Sequence, residues 1–139
     1  MATMAVTVGD HDAMMESLEI IAGRDHDIVP PFFARFLSAH PEEEDKFFNP
    51  ATSYGTMTNE IMTTLLALAN DEPWVEMVMR MQVLTHHGYG GIELQRYRDV
   101  LDHFIATLAD LAGDEWSPVH AHAWQAQADR LFAMIERAW

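Results

Sequence analysis

The 139-residue chain has no cysteine and no long apolar run. The first absence excludes disulfides, iron–sulfur clusters and cysteine-ligated zinc. The second leaves no stretch long and apolar enough to span a bilayer. The first residues, Met1 to Asp12, also lack the basic and apolar regions of a secretory signal. Together these absences lead us to expect a cytoplasmic protein without a membrane partner.

Basic side chains are also scarce. The chain carries 8 lysine and arginine residues against 22 aspartate and glutamate residues, for a formal net charge of −14. Binding to nucleic acid or to anionic lipid requires a basic face, because both present phosphate. The composition therefore predicts a soluble protein that binds neither nucleic acid nor anionic membranes.

Apolar residues recur at helical spacing along the whole chain, which predicts an all-α protein with one domain over residues 1–139. Glycine and proline mark several boundaries, because glycine ends helices and proline is tolerated in the first helical turn. The predicted helices run from Asp10 to Ala22, Pro30 to Ala39, Ala51 or Tyr54 to Asn70, Pro73 to the turn after His87, Glu93 to Ala112, and Ser117 towards Trp139.

Two adjacent histidines, His86 and His87, end one of these helices and precede a turn that contains three glycines. A neutral imidazole on a rigid element that ends nearby is a suitable ligand for haem iron, and glycines let the backbone turn closely around a ligand. The alternative interpretation is a solvated histidine at a helix C-terminus, where its charged form suits the helix dipole.

The spacing of later residues resembles the proximal region of globins: Gly91 and Ile92 follow His87 by four and five residues, and Tyr97 follows it by ten. Two other segments resemble the same family. Residues 32–50 are similar to the second globin helix and the proline-led corner after it, and residues 116–124 are similar to the start of the last globin helix. The chain thus resembles a single-domain bacterial globin.

This resemblance implies a globin fold, with helices A, B, E, F, G and H and a C/CD corner packed around a haem pocket, and one b-type haem. His87 is the predicted iron ligand. His86 is the alternative, otherwise turned towards solvent or a haem propionate. Lys46, Arg96, Arg98 and Arg80 are the candidate propionate partners. Phe47 is the predicted aromatic wedge against the haem, with Phe48 as its alternative. Further predicted contacts come from Leu84, Ile92, Tyr97, Leu101 and Phe104.

The opposite side of the pocket departs from the oxygen-storage globins, because no histidine lies between Tyr54 and Asn70. One alignment places Tyr54 over the iron with Thr58 one turn on, and the other places Thr58 there with Met62 one turn on. Phe33 stands where many bacterial globins carry a tyrosine that hydrogen-bonds oxygen. Tyr54 is therefore the predicted replacement for that phenol.

The predicted function is reversible binding of oxygen, nitric oxide or carbon monoxide. An unidentified reductase is a candidate partner, and the expected state is a monomer or a homodimer. Two alternatives stay open. The chain could be a globin-fold sensor or interaction module without haem or with another pigment. It could also be a small haem enzyme with peroxidase-like or nitric oxide dioxygenase activity, although an enzyme is the weaker expectation because helix E has no arginine or histidine.

Overall fold

A computed structural model of the chain describes residues 9–88 and 90–139. Residues 1–8, which hold most of the N-terminal segment interpreted above, and Tyr89 of the glycine-rich turn lie outside it. The described residues form helices and connecting turns, and no strand. The α-helices are α1 (Asp10–Gly23), α2 (Val29–Ala39), α3 (Pro50–Ala69), α4 (Val75–Gly88), α5 (Leu94–Ala112) and α6 (Pro118–Ala138), with 3₁₀ helices at Pro41–Lys46 and Gly113–Glu115.

Local chemistry accounts for several of these boundaries. The Ser117 Oγ accepts a hydrogen bond from the backbone N–H of His120 at 3.2 Å, which caps the start of α6. Pro118 occupies the first position of that helix. Gly113 ends α5 with φ of +62°, a left-handed conformation that glycine adopts without strain. Each of these signals is readable in the sequence.

The core lies around α6, which packs against α1, α3, α4 and α5, while α2 packs against α5. Trp124 of α6 is fully buried, and its ring lies 5.8 Å from the ring of Phe104 on α5. Phe32 of α2 extends this aromatic contact, because its ring meets that of Phe104 edge-on at 5.4 Å. The helices α3 and α4 both pack on α6 but touch each other at few points, so a space is left between them.

The all-α prediction is confirmed for the described residues. Helices α2, α3, α4 and α5 begin one or two residues away from a predicted start. Helix α3 begins at Pro50, because proline fits the first turn of a helix, and α4 begins at Val75 rather than at Pro73. Among the described residues, no helix combines the length and the apolarity needed to cross a bilayer.

Candidate functional site

A cavity of about 440 Å³ occupies the space between α3, α4 and α5. Its volume falls in the range of natural small-molecule and cofactor pockets, which is about 300–1,000 Å³. Helices α2 and α6 close its inner end, and the 3₁₀ helix Pro41–Lys46 borders it. Apolar side chains make up most of the inner wall: Phe36, Phe47, Met57, Ile61, Met79, Val83, Ile92, Val100, Leu101, Leu131 and Ile135.

His86 is the one histidine among the residues that line this cavity. It lies near the end of α4 and is half-buried. The turn after it is closed by a hydrogen bond from the Gly91 N–H to the His86 carbonyl at 2.9 Å. Gly90 and Gly91 have φ of +99° and +79°, which favour glycine. The glycine-rich turn thus folds the chain back so that α5 faces the histidine.

Tyr97 of α5 holds the His86 ring. The His86 Nδ1 lies 2.8 Å from the Tyr97 Oη. The other ring nitrogen, Nε2, makes no hydrogen bond with a described residue, and the His86 side chain lines the cavity. When Nδ1–H donates to Tyr97, Nε2 carries the free lone pair, which is the tautomer that a metal requires.

Burial keeps both groups of this pair neutral. Desolvation lowers the pKa of His86 below 6.5; the negative charge of Glu60 opposes that shift, and His87 adds to it. Burial raises the pKa of Tyr97 to about 12, so the phenol keeps its proton at neutral pH. His86 is therefore a neutral imidazole at physiological pH, the form that ligates metals.

The structure places His86 in the lining of this cavity and His87 in that of an adjoining, more open pocket. His87 is exposed and lies outside the cavity, with its ring 5.9 Å from that of Trp139. Helical geometry explains the difference. His86 follows the cavity-lining Met79 by seven residues, close to two full turns, so it stays on the same face. His87 is rotated a further 100° or so, which turns it away from the cavity.

The face of α3 that lines the cavity is not the face that either alignment predicted. Its cavity-lining residues include Ser53, Met57 and Ile61, not Tyr54, Thr58 or Met62. The α3 residues in the wall are Thr52, Ser53, Thr56, Met57, Glu60, Ile61 and Thr64.

Aromatic packing sets this rotation of α3. The Tyr54 ring stacks on Phe33 at 4.0 Å and meets Phe47 edge-on at 5.1 Å, which turns Tyr54 away from the cavity. Thr58 is 2% exposed and its hydroxyl donates to the Tyr54 carbonyl at 2.8 Å. Phe33 is buried in this stack and does not line the cavity either.

The other predicted contact residues divide into two groups. Phe47, Ile92, Tyr97 and Leu101 line the cavity. Phe48 and Leu84 do not, because they are 93% and 72% exposed, and Phe104 is buried in the core against Trp124. The prediction missed Met79 and Val83. Their spacing from His86, seven and three residues, is a helical-face signal that was present in the sequence.

Of the four candidate cations, Lys46 and Arg96 border the cavity. Arg96 is already bonded to three carboxylates, Glu42 and Glu43 at 3.0 Å and Asp99 at 3.1 Å. Lys46 is half-exposed and pairs with Glu43 at 2.9 Å.

The remaining two candidate cations lie away from the opening. Arg98 pairs with Asp102 and Asp129, and Arg80 is exposed on α4. Of the two cations that border the cavity, Lys46 pairs with one carboxylate among the described residues, which leaves two of its three ammonium donors for a further anion.

No protein-family model matches the chain. Within the part of the chain that the structure describes, no three histidine, aspartate or glutamate side chains come together in a way that would hold a metal ion. His86 is the one imidazole in the lining of this mostly apolar cavity.

Proposed function

We propose that the chain is a globin-fold haem protein that holds one b-type haem in this cavity, with His86 Nε2 as the iron ligand. The observation that carries the proposal is a neutral histidine that lines a mostly apolar cavity and is bonded to Tyr97 through Nδ1. Haem iron needs a single protein ligand, because the porphyrin supplies four nitrogens. A lone histidine is therefore sufficient here.

The cavity suits the two halves of a haem. Its inner wall is apolar, from Met79 and Val83 on α4 to Leu101 on α5, which suits the porphyrin ring. Lys46 at its border provides donors for a propionate carboxylate. Arg96 acts mainly as a fixed anchor of the 3₁₀ helix, through Glu42 and Glu43, and so helps to shape the opening.

When bound, the haem iron supplies an open coordination position for a diatomic gas. The residues of this chain decide the environment of that gas. The α3 wall offers the apolar side chains of Met57 and Ile61 and the hydroxyls of Ser53 and Thr56. We therefore propose reversible binding of oxygen, nitric oxide or carbon monoxide, with no phenol or imidazole from α3 to hold bound oxygen.

The α3 residues that line the cavity do not favour the alternative of a peroxidase-like enzyme. Peroxide cleavage calls for a placed acid or base. Helix α3 contains neither histidine nor arginine, and the carboxylate of Glu60 accepts a hydrogen bond from Gln82 at 3.2 Å.

A haem titration of the purified protein tests the proposal. We expect one equivalent of haemin to produce a saturating Soret band. Met57→Trp, which fills the cavity, should weaken haem binding by at least tenfold. Met15→Trp places the same side chain at a partly exposed position on α1, 38% exposed, and should bind haem like the parent.

Two results would contradict the proposal. Absence of a saturable Soret band would exclude haem and favour another apolar ligand or an interaction module. Equal binding by Met57→Trp and Met15→Trp would place the haem outside this cavity.

A further inference from the structure

Helix α4 has a second apolar face that points away from the cavity and the core. Its inner face buries Val75, Met79 and Val83. The outer face exposes five large apolar side chains at helical spacing: Trp74 just before the helix at 38%, Met77 at 66%, Val78 at 37%, Met81 at 63% and Leu84 at 72%. We call this set the α4 outer stripe. A helix on the surface of a monomer normally carries polar residues on this side.

The stripe is large enough to form the centre of an interface. The five side chains are 37% to 72% exposed, so together they form an apolar patch on the order of a few hundred Å². A contiguous apolar patch of that order is among the largest that a monomer exposes and is often a functional surface. A stable protein–protein interface buries about 800 Å² per partner, so the stripe would form its centre and the surrounding residues its rim.

The charges around the stripe favour a second copy of the same chain. The protein as a whole has a net charge of −14, which opposes self-association over most of its surface. Helix α4 is different, because over Val75–Gly88 it carries one acid, Glu76, and one arginine, Arg80. Glu76 is paired with Arg137 at 3.0 Å. Two copies can therefore meet along α4 without bringing several carboxylates together.

Four of the five stripe residues match one another when the helix is reversed, and the fifth, Val78, would lie against Arg80 of the partner subunit. Trp74 and Leu84 lie five residues on either side of position 79, and Met77 and Met81 lie two residues on either side. A two-fold axis near position 79 would place Met77 against Met81 of the partner subunit. It would also place Trp74 against Leu84 of the partner subunit. Such a self-complementary patch is what an isologous dimer requires.

We propose that the protein forms a homodimer through the α4 outer stripe, with the two α4 helices antiparallel. This inference is independent of the haem proposal, because the stripe faces away from the cavity. The dimer would leave the cavity free and remove the exposed apolar surface from water.

Sedimentation of the purified protein over a range of concentrations tests the association. We expect a dimer for the parent and at least tenfold weaker dimerisation for Met81→Glu. Val119→Glu introduces the same charge at an exposed apolar position on α6, 53% exposed, and should dimerise like the parent. A parent that stays monomeric at high micromolar concentration would overturn the proposal, as would a dimer that Met81→Glu leaves intact.

Cysteine cross-linking tests the orientation, since the natural chain has no cysteine that would interfere. The antiparallel dimer predicts that a mixture of Trp74→Cys and Leu84→Cys subunits forms an intersubunit disulfide, while neither variant alone does so efficiently. Efficient cross-linking of Leu84→Cys with itself, and none in the mixture, would overturn the antiparallel arrangement.

Discussion

Two histidines sit in very different regions of this molecule, and the difference separates a structural histidine from a candidate ligand. His120 is 2% exposed at the contact of α1 and α6. Its Nδ1 accepts from the Ser117 N–H at 3.0 Å, and its Nε2 bonds Glu16 at 2.7 Å. His86 bonds Tyr97 through Nδ1 alone and borders a cavity. A histidine with both nitrogens hydrogen-bonded in the core stabilises the fold, whereas one that lines a cavity is a candidate ligand.

The surroundings of His120 and His86 differ in the same way as the two histidines do. Near His120 the polar groups are paired in the core. The Trp124 Nε1 donates to the Ser17 Oγ at 2.8 Å, and that hydroxyl donates to the Met14 carbonyl at 2.6 Å. Around His86, in contrast, α3 and α4 are held apart and leave open space. We therefore expect substitutions in the first region to change stability, and substitutions in the second to change ligand binding.

The largest effect on stability is expected for His120→Ala. It leaves the half-buried Ser117 N–H without its acceptor and removes the bond to Glu16. The free energy of unfolding should fall by about 1–3 kcal/mol in denaturant titrations, and haem binding should not change. His122→Ala alters an exposed histidine two residues away and should stay within about 0.5 kcal/mol of the parent. A loss of haem binding in His120→Ala, with stability retained, would contradict a purely structural role for His120.

Tyr97→Phe removes the hydrogen bond to His86 Nδ1 while keeping the ring in place. Groups that orient a metal-ligating histidine typically contribute 10–100-fold to metal affinity or activity. We expect haem to dissociate roughly tenfold faster, as measured by transfer to a haem scavenger. Unchanged dissociation would show that this bond does not orient the ligand.

The pH dependence of the haem-free protein provides a smaller effect. The pKa of His86 is lowered by burial in the folded state, as is that of His103, chiefly by burial and then by His40. Between these lowered values and 6.5, the unfolded chain binds more protons than the folded one. The free energy of unfolding therefore falls as the pH decreases through that window. His86→Gln should reduce this slope, and an unchanged slope would contradict the burial of His86.

The smallest effect is expected for Tyr54→Phe. The Tyr54 ring is stacked on Phe33, and Tyr54 does not line the cavity. Oxygen release from the haem-loaded protein should therefore stay within about twofold of the parent in stopped-flow measurements, because no phenol hydrogen bond is lost. A much faster release would indicate that the Tyr54 hydroxyl bonds the bound oxygen, as the sequence alone predicted.

The helices could be predicted because their signals are local. Ser117 with Pro118 starts α6, and Gly113 ends α5, as expected from capping chemistry alone. The rotation of each helix about its axis could not be predicted as well, since it depends on packing between helices. Tyr54 shows this on α3, where stacking on Phe33 decides which residues face the cavity.

Which of the adjacent histidines, His86 or His87, faces the cavity also depends on the rotation of its helix. Spacing to later residues favoured His87, but the helix α4 continues to Gly88 and carries the cavity face of Met79 and Val83 on to His86. The seven residues from Met79 to His86, close to two helical turns, place these two side chains on one face of α4. The landmarks after the turn were less informative, because the path of a glycine-rich turn is not fixed by residue spacing.

Absorption spectra of the haem-loaded parent, His86→Ala and His87→Ala proteins test the central claim most directly. We expect His87→Ala to keep the parental Soret band and iron coordination. His86→Ala should lose the histidine-ligated spectrum and regain it when free imidazole is added, because the cavity then has room for the missing ring. Loss of that spectrum in His87→Ala, with His86→Ala unchanged, would contradict the assignment of His86 as the iron ligand.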